Sequence, residues 1–240
     1  MGFANTKAQY RADVNPDGSF TTDGMVPGTY NLKVYKNELE VAFSTVTVSA
    51  GEVTRLDPIV VTNDPAASTP LWRIGAWDGS PQEFKNGDKV TTMHPVDVRM
   101  SPWVTPEYDV LTSTAATGFP AYQWKDVNNS TTICFNLRKS QIRNYTLRVG
   151  TTVAFAGLRP RPQVNGWLAA IPAAPNQPKT RTLTVGTYRG NNNLYVVNIP
   201  ASELVVGQNT ITLTGVSGSG GTSFLSPGYA YDAVDLIPTP

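Results

Sequence analysis

The sequence predicts an all-β protein, on three observations. Gly, Pro, Thr, Val, Asn and Ser dominate, with 20 Gly and 19 Pro in 240 residues. Apolar residues alternate with polar ones, and turn residues punctuate the runs every few positions, as strands require. The 3.6-residue apolar spacing of amphipathic helices, rich in Ala, Leu, Glu and Lys, is nearly absent.

The elements follow in chain order. Gly18-Ser19-Phe20-Thr21 alternates, Val26-Pro27-Gly28-Thr29 turns, and residues 30–35 alternate again. Residues 41–48 come next, Ala50-Gly51-Glu52 turns, and 53–61 closes a small sandwich of short strands. Such alternation marks a half-buried antiparallel sheet. No clear strand precedes Gln9-Tyr10-Arg11-Ala12, so this unit is expected to be truncated at its start, with the marginal core of a domain of about 60 residues. Asn63-Asp64-Pro65-Ala66-Ala67-Ser68-Thr69-Pro70 carries linker residues without apolar periodicity, dividing the chain into domains 1–66 and 67–240. In the second domain, strands are predicted at 131–136, 145–155, 182–188, 194–199, 210–216 and 229–237. Pro200 is placed to open one helical turn ending near Leu204, since proline suits a helix start.

Composition excludes several classes. No apolar run approaches the ~20 residues of a membrane-spanning helix, and no membrane partner is expected. Cys134 is the only cysteine, so no intrachain disulfide or cysteine-ligated zinc can form. A formal net charge of +1 suggests no nucleic-acid partner. The charge is unevenly placed: residues 1–64 hold 5 Lys/Arg against 8 Asp/Glu, and residues 65–240 hold 14 against 10. From Val127 to Ser202 there is no acid, yet Arg138, Lys139, Arg143, Arg148, Arg159, Arg161, Lys179, Arg181 and Arg189 lie there. On one shared face they would bind an anion; pointing in several directions they would only solvate the surface.

Few residues carry reactive chemistry. His94 is the lone imidazole, and no serine sits in a nucleophile-elbow pattern around which a triad could form. A histidine beside Pro95 serves more simply as a structural hydrogen-bonder, and no catalytic residue is assigned. No phosphate loop, dinucleotide fingerprint or metal-binding helix motif occurs. Aromatics and amides are better represented. Trp72, Trp77, Trp103, Trp124 and Trp167 all lie in the second domain. Aromatic faces suit the C–H surfaces of sugars, amides suit hydroxyls, and arginine forks suit carboxylates. Arg159, Arg161, Asn165 and Trp167 in one segment, and Tyr188, Arg189 and Asn191 in another, are the candidate carbohydrate-binding residues; ordinary loops with packed aromatics are the alternative. Three N-glycosylation patterns begin at Asn128, Asn129 and Asn144.

The run Leu71-Trp72-Arg73-Ile74-Gly75-Ala76-Trp77-Asp78-Gly79-Ser80-Pro81, with Phe84-Lys85-Asn86 and Met93-His94-Pro95-Val96-Asp97-Val98-Arg99-Met100, resembles the fungal rhamnogalacturonan lyases of polysaccharide lyase family four. Gly18-Ser19-Phe20, Val26-Pro27-Gly28-Thr29-Tyr30 and Val46-Thr47-Val48-Ser49-Ala50-Gly51 resemble that family's fibronectin type III-like middle domain. The segments starting at Arg181, Gly207 and Tyr231 resemble its C-terminal jelly-roll, itself similar to carbohydrate-binding modules. No segment resembles the large N-terminal β-sandwich that holds the family's catalytic Lys and His. The resemblance therefore implies a non-catalytic portion of a secreted, pectin-degrading enzyme that cleaves rhamnose-galacturonate linkages by β-elimination. Rhamnogalacturonan and the catalytic domain are its implied partners, and the truncated face suggests self-association. A purely structural module that stabilises the catalytic domain is the alternative. No cofactor is required, but the likeness to carbohydrate-binding jelly-rolls implies a structural calcium ion, with Asp232 and Asp78 as its acidic ligands; a plain hydrogen-bond acceptor is the alternative for Asp232.

Overall fold

Much of the predicted alternation becomes hydrogen-bonded strand pairing. The computed structural model describes residues 2–5, 8–37, 39–61, 64–90, 107–175, 192–217 and 226–239. The chain divides into two units, Met1–Ala67 and Ser68–Pro240.

The first unit is one antiparallel sheet of β1 (Gly2–Ala4), β2 (Gln9–Arg11), β3 (Gly28–Lys36) and β4 (Leu39–Val48), in the order β2-β1-β3-β4. Asn37 takes the left-handed backbone at the β3–β4 turn (φ 56°), which asparagine tolerates better than most residues. Tyr30, Leu32, Val46 and Ala12 are buried on one face, with Phe20, Met25 and Ile59 packed against them. Three expectations change here. A strand, β1, does precede Gln9; its three residues are too few to show a period. Residues 18–21 form no strand, because the Asp17 carboxylate accepts from the Ser19 amide (2.9 Å) and hydroxyl (2.7 Å), a local turn that competes with sheet pairing. Residues 53–61 are irregular chain, with Val53 85% and Val60 72% exposed, and Pro58 removes a ladder donor.

The second unit stacks two sheets around one core. The first has the order β11-β10-β13-β8-β6, from β6 (Tyr108–Asp109), β8 (Thr131–Leu137), β10 (Arg159–Val164), β11 (Trp167–Leu168) and β13 (Gly207–Val216). The second has the order β12-β9-β14-β5, from β5 (Trp72–Gly75), β9 (Tyr145–Phe155), β12 (Asn193–Ile199) and β14 (Gly228–Pro238), with β7 (Tyr122–Trp124) also paired to β14. Ile133, Phe135, Ile211 and Leu213 of the first sheet share the core with Leu147, Val149, Val234 and Leu236 of the second. The turn after Pro200 is a single 3-10 turn, Ala201–Glu203.

The two central strands of the second sheet, β9 and β14, are buried on both faces. Their second face is covered by the segment after β5. Trp77 lies on Gly150, where a β-carbon would stand 2.4 Å from the indole. Opposite Gly150 the ladder slips: Tyr231 pairs with Thr151 and Val234 with Val149, so Asp232 and Ala233 share one partner position. Such a bulge re-aims a side chain out of the regular alternation. Here the side chain is Asp232.

Candidate functional site

The first sheet turns a polar face outward. Residues directly paired across strands share a face, so Gln163, Thr212 and Thr132 form one row, and Arg161 and Thr214 the next. Arg159, Thr210 and Val216 extend the same face, while Val164, Ile211, Leu213 and Ile133 point into the core. Gln163 and its β11 partner Leu168 are exposed, and the threonines are half-buried. Thr132 and Thr212 hydroxyls hydrogen-bond across the strands at 3.2 Å.

The two arginines on this face owe their geometry to the prolines beside them. The Ala169 amide donates to the Pro162 carbonyl at 3.0 Å, so the side of Pro162 that lacks an N–H faces the segment following β11. Arg161 Nε donates to Ala169 O at 2.8 Å, and Arg159 Nε donates to Pro172 O at 2.6 Å. Arg159 Nη1 also donates to Gly157 O at 3.0 Å. The guanidinium groups thus supply donors that the Arg-Pro-Arg-Pro strand cannot supply from its backbone, and they strap residues 169–172 to the sheet edge. The terminal nitrogens of Arg161 make no hydrogen bond among the described residues.

Of the other predicted residues here, Asn165 is committed to the fold. It takes the left-handed backbone (φ 50°), donates from Nδ2 to Glu203 O (2.8 Å) and Asn209 Oδ1 (3.0 Å), and accepts from the Thr210 amide (3.0 Å). Trp167 is half-buried against the core. Trp72, Trp77 and Trp124 are buried. Tyr188, Arg189, Asn191, Arg181, Lys179, His94 and Trp103 lie outside the described residues.

The described basic residues of the acid-free span are dispersed rather than gathered. Arg138, Lys139 and Arg143 are exposed around the turn joining β8 to β9, Arg159 and Arg161 lie on the first sheet, and Arg148 is buried on the second. Arg148 grips Asp235 with Nε on Oδ1 (2.8 Å) and Nη2 on Oδ2 (2.7 Å). Arg73 Nε (2.9 Å) and Trp77 Nε1 (3.0 Å) complete the carboxylate's shell, and the Arg148 guanidinium carbon stands 5.2 Å from the Trp77 ring centroid. Asp235 is fully buried, and such a charge is tolerable only when paired and hydrogen-bonded. Sequence reading missed this group. The available signal was Asp235 itself, a charge inside the apolar run Ala233-Val234-Asp235-Leu236-Ile237 that needs a partner if buried.

Asp232 and Glu83 both bond to the cover segment, and the charges of Asp78 and Glu83 act on Asp232. Asp232 Oδ1 accepts from the amides of Asp78 (3.1 Å) and Gly79 (2.6 Å), and Thr152 Oγ1 donates to Gly79 O (2.6 Å). Glu83 accepts from the Ala76 amide at 2.7 Å. A β-carbon at Gly75 (φ 80°) would lie 2.9 Å from both Asp232 O and Glu83 Oε1, so the cluster needs glycine there. Burial pushes the Asp232 carboxyl up to about 7, opposed by its two backbone donors and reinforced by the charges of Asp78 and Glu83. Burial likewise pushes Glu83 up to about 7. Asp232 Oδ2 is buried and has no hydrogen-bond partner among the described residues. Among the described residues, no three His, Cys, Asp or Glu side chains are arranged to hold a metal ion between them.

Comparison with known proteins assigns both units. The profile of polysaccharide lyase family 4, domain II, matches residues 1–56, and that of domain III matches residues 70–236. A Neurospora crassa protein is 46% identical over 233 residues, covering 97% of this chain and 43% of its own length. Rhamnogalacturonate lyase A of Emericella nidulans and that of Aspergillus aculeatus are each 43% identical over 233 residues, again 97% of this chain, and 43% and 44% of their own lengths. The chain thus spans less than half the length of these relatives. Its two units are the fibronectin type III-like and carbohydrate-binding-module-like parts of that architecture, and the chain belongs to polysaccharide lyase family 4.

Proposed function

We propose that this chain is the non-catalytic portion of a secreted rhamnogalacturonan lyase, and that its second unit binds the pectic chain on the outward face of β10, β13 and β8. One observation carries this reading. Arg161 is fixed through Nε while its terminal fork has no partner among the described residues, and it sits beside exposed Gln163 and a row of threonine hydroxyls. A guanidinium fork matches a galacturonate carboxylate two bonds at a time, and amide and hydroxyl groups suit the neighbouring sugar hydroxyls. Exposed contacts of this type contribute about 1 kcal/mol or less each, so binding on the order of 0.1 to 1 mM is expected.

A second reading also has an observation in its favour. The Nε groups of Arg159 and Arg161 and the whole Asn165 amide are spent on holding the fold, as a module that only supports a catalytic domain would spend them. Titration with rhamnogalacturonan oligosaccharides separates the two, since only the first predicts saturable binding. A parallel incubation with the polymer, followed at the near-ultraviolet absorbance of unsaturated uronate, tests the non-catalytic role; a sustained rise above a denatured control overturns it.

A structural calcium ion belongs to the same proposal. The Oδ2 of Asp232, without a partner among the described residues and under the charges of Asp78 and Glu83, suits a hard cation that accepts oxygen ligands. Asp232 and Asp78 would hold it with backbone carbonyls, and its charge would offset the repulsion among the acids and fix the cover segment.

A further inference from the structure

The sequence contains three overlapping or separate Asn-X-Ser/Thr patterns, at Asn128-Asn129-Ser130, Asn129-Ser130-Thr131 and Asn144-Tyr145-Thr146. N-glycosylation joins a sugar to the side-chain Nδ2, so each site is judged by what that nitrogen meets in the fold.

Asn128 is 5% exposed. Its Nδ2 donates to Tyr122 O at 2.7 Å and its Oδ1 accepts from the Trp124 amide at 2.7 Å, which ties the turn after β7 to the strand itself. Asn129 Nδ2 donates to Gly215 O at 3.1 Å, and its Oδ1 accepts from the Gly215 amide and from Gln123 Nε2, each at 2.7 Å. Both nitrogens therefore point at backbone carbonyls, that of Asn128 within the sandwich and that of Asn129 at an exposed position. Glycosylation replaces one of the two Nδ2 protons: at Asn128 the buried site leaves no room for a sugar ring, and at Asn129 the ring must share a nitrogen already bonded to Gly215 O, beside an Oδ1 held by the Gly215 amide and Gln123.

Asn144 differs at its side-chain nitrogen. It is exposed, immediately ahead of β9. Its Oδ1 accepts from the Ala201 amide at 2.9 Å, holding the 3-10 turn, while its Nδ2 makes no hydrogen bond among the described residues. The glycosylated side chain keeps its amide carbonyl, so the bond to Ala201 survives the modification.

We propose that Asn144 is an N-glycosylation site of this chain and that Asn128 and Asn129 are not. The inference rests on the secreted reading above, because the donor, an oligosaccharide on a lipid pyrophosphate, is met only on the secretory route. Nδ2 forms the bond to the anomeric carbon of that oligosaccharide, the anomeric C–O bond to pyrophosphate breaks, one amide proton is lost, and the lipid pyrophosphate leaves. No electron is gained or lost.

The test is expression of the full 240-residue chain in yeast behind a supplied secretion leader, so that entry to the pathway does not depend on how the natural protein is routed. Peptide mapping of the secreted, folded protein before and after enzymatic glycan release is expected to show sugar on the Asn144 peptide and none on the peptide holding Asn128 and Asn129. Asn144→Gln and Thr146→Ala are expected to abolish the modification, and Thr146→Ser to retain it. Sugar on Asn128 or Asn129 of folded protein, or an unmodified Asn144 in secreted wild-type protein, overturns the inference. Failure of the secreted reading shows separately, as absence of the natural protein from the medium of cells that make it.

Discussion

Arg161 stands in for the amide that Pro162 lacks. Ala169 N donates to Pro162 O at 3.0 Å, and the return bond to Ala169 O, which a proline cannot make, comes from Arg161 Nε at 2.8 Å. The repeated Arg-Pro pairs of β10 thereby close a strand edge that would otherwise present carbonyls without donors.

This relationship predicts a specific coupling. Arg161→Ala is expected to cost about 1.5–3 kcal/mol, the range for a hydrogen bond involving a charged group. Pro162→Ala restores a backbone N–H on that side, so in the Arg161→Ala background it recovers part of the loss. Chemical denaturation of the two single variants and the double variant measures the interaction. Strict additivity contradicts the substitution of one donor for the other.

The Asp235 carboxylate anchors the cover segment to the second sheet. Asp235→Ala leaves the buried Arg148 charge uncompensated and is expected to cost about 3–5 kcal/mol, as for one partner removed from a buried pair. Arg148→Ala is expected to quench or shift the fluorescence of Trp77, whose ring it faces. Thermal unfolding and emission spectra read both effects; a loss under 1 kcal/mol for Asp235→Ala would show that the network is dispensable.

The carboxyl cluster makes stability depend on pH in a defined direction. Asp232 faces Asp78 and Glu83 from the cover segment, with Thr152 bonded to the carbonyl between them. Unfolded, the Asp232 and Glu83 carboxyls ionise near 3.8 and 4.5; folded, they hold their protons to about 7. The folded state therefore binds more protons across that window, and stability in chelator falls as pH rises from about 4 through 7. Asp232→Asn is expected to flatten the fall. Calcium is expected to raise the melting temperature most above pH 7, where the acids are ionised. A flat profile in chelator contradicts the burial account, and a melting temperature indifferent to calcium contradicts the proposed ion.

The long strands of the second unit were legible because β8, β9, β12, β13 and β14 each carry enough alternating or apolar residues to show their period. Strands of two to four residues, such as β1, β6 and β11, show none, and they take their conformation from partners distant in sequence. Residues 53–61 misled because β-branched residues are frequent there, yet the segment pairs with no strand among the described residues and leaves Val53 and Val60 exposed, with Ile59 packed against the core. In the candidate site, the sequence predicts no strand at β10, because the prolines of Arg159-Pro160-Arg161-Pro162 read as a loop, and it leaves open whether the two arginines share a face; the structure puts them on one face. Their bonds to Pro172 and Ala169 depended on a strand register that no local pattern encodes. Asn165 looked like a reader of sugar hydroxyls, but its left-handed backbone and contacts with Glu203, Asn209 and Thr210 come from a turn closed by residues 38 to 45 positions away.

The binding claim is tested most directly by calorimetric titration of the intact chain with rhamnogalacturonan oligosaccharides and with neutral glucans, at two salt concentrations. The account predicts saturable binding on the order of 0.1 to 1 mM for the anionic oligosaccharides, weakening as salt rises because exposed charges are screened within ~8 Å at physiological ionic strength. Gln163→Ala and Arg161→Lys, which keeps the charge and removes the fork, are each expected to weaken it several-fold. Equal affinity for neutral glucans, no detectable binding, or binding indifferent to both substitutions would contradict the account and leave the second unit as a structural support.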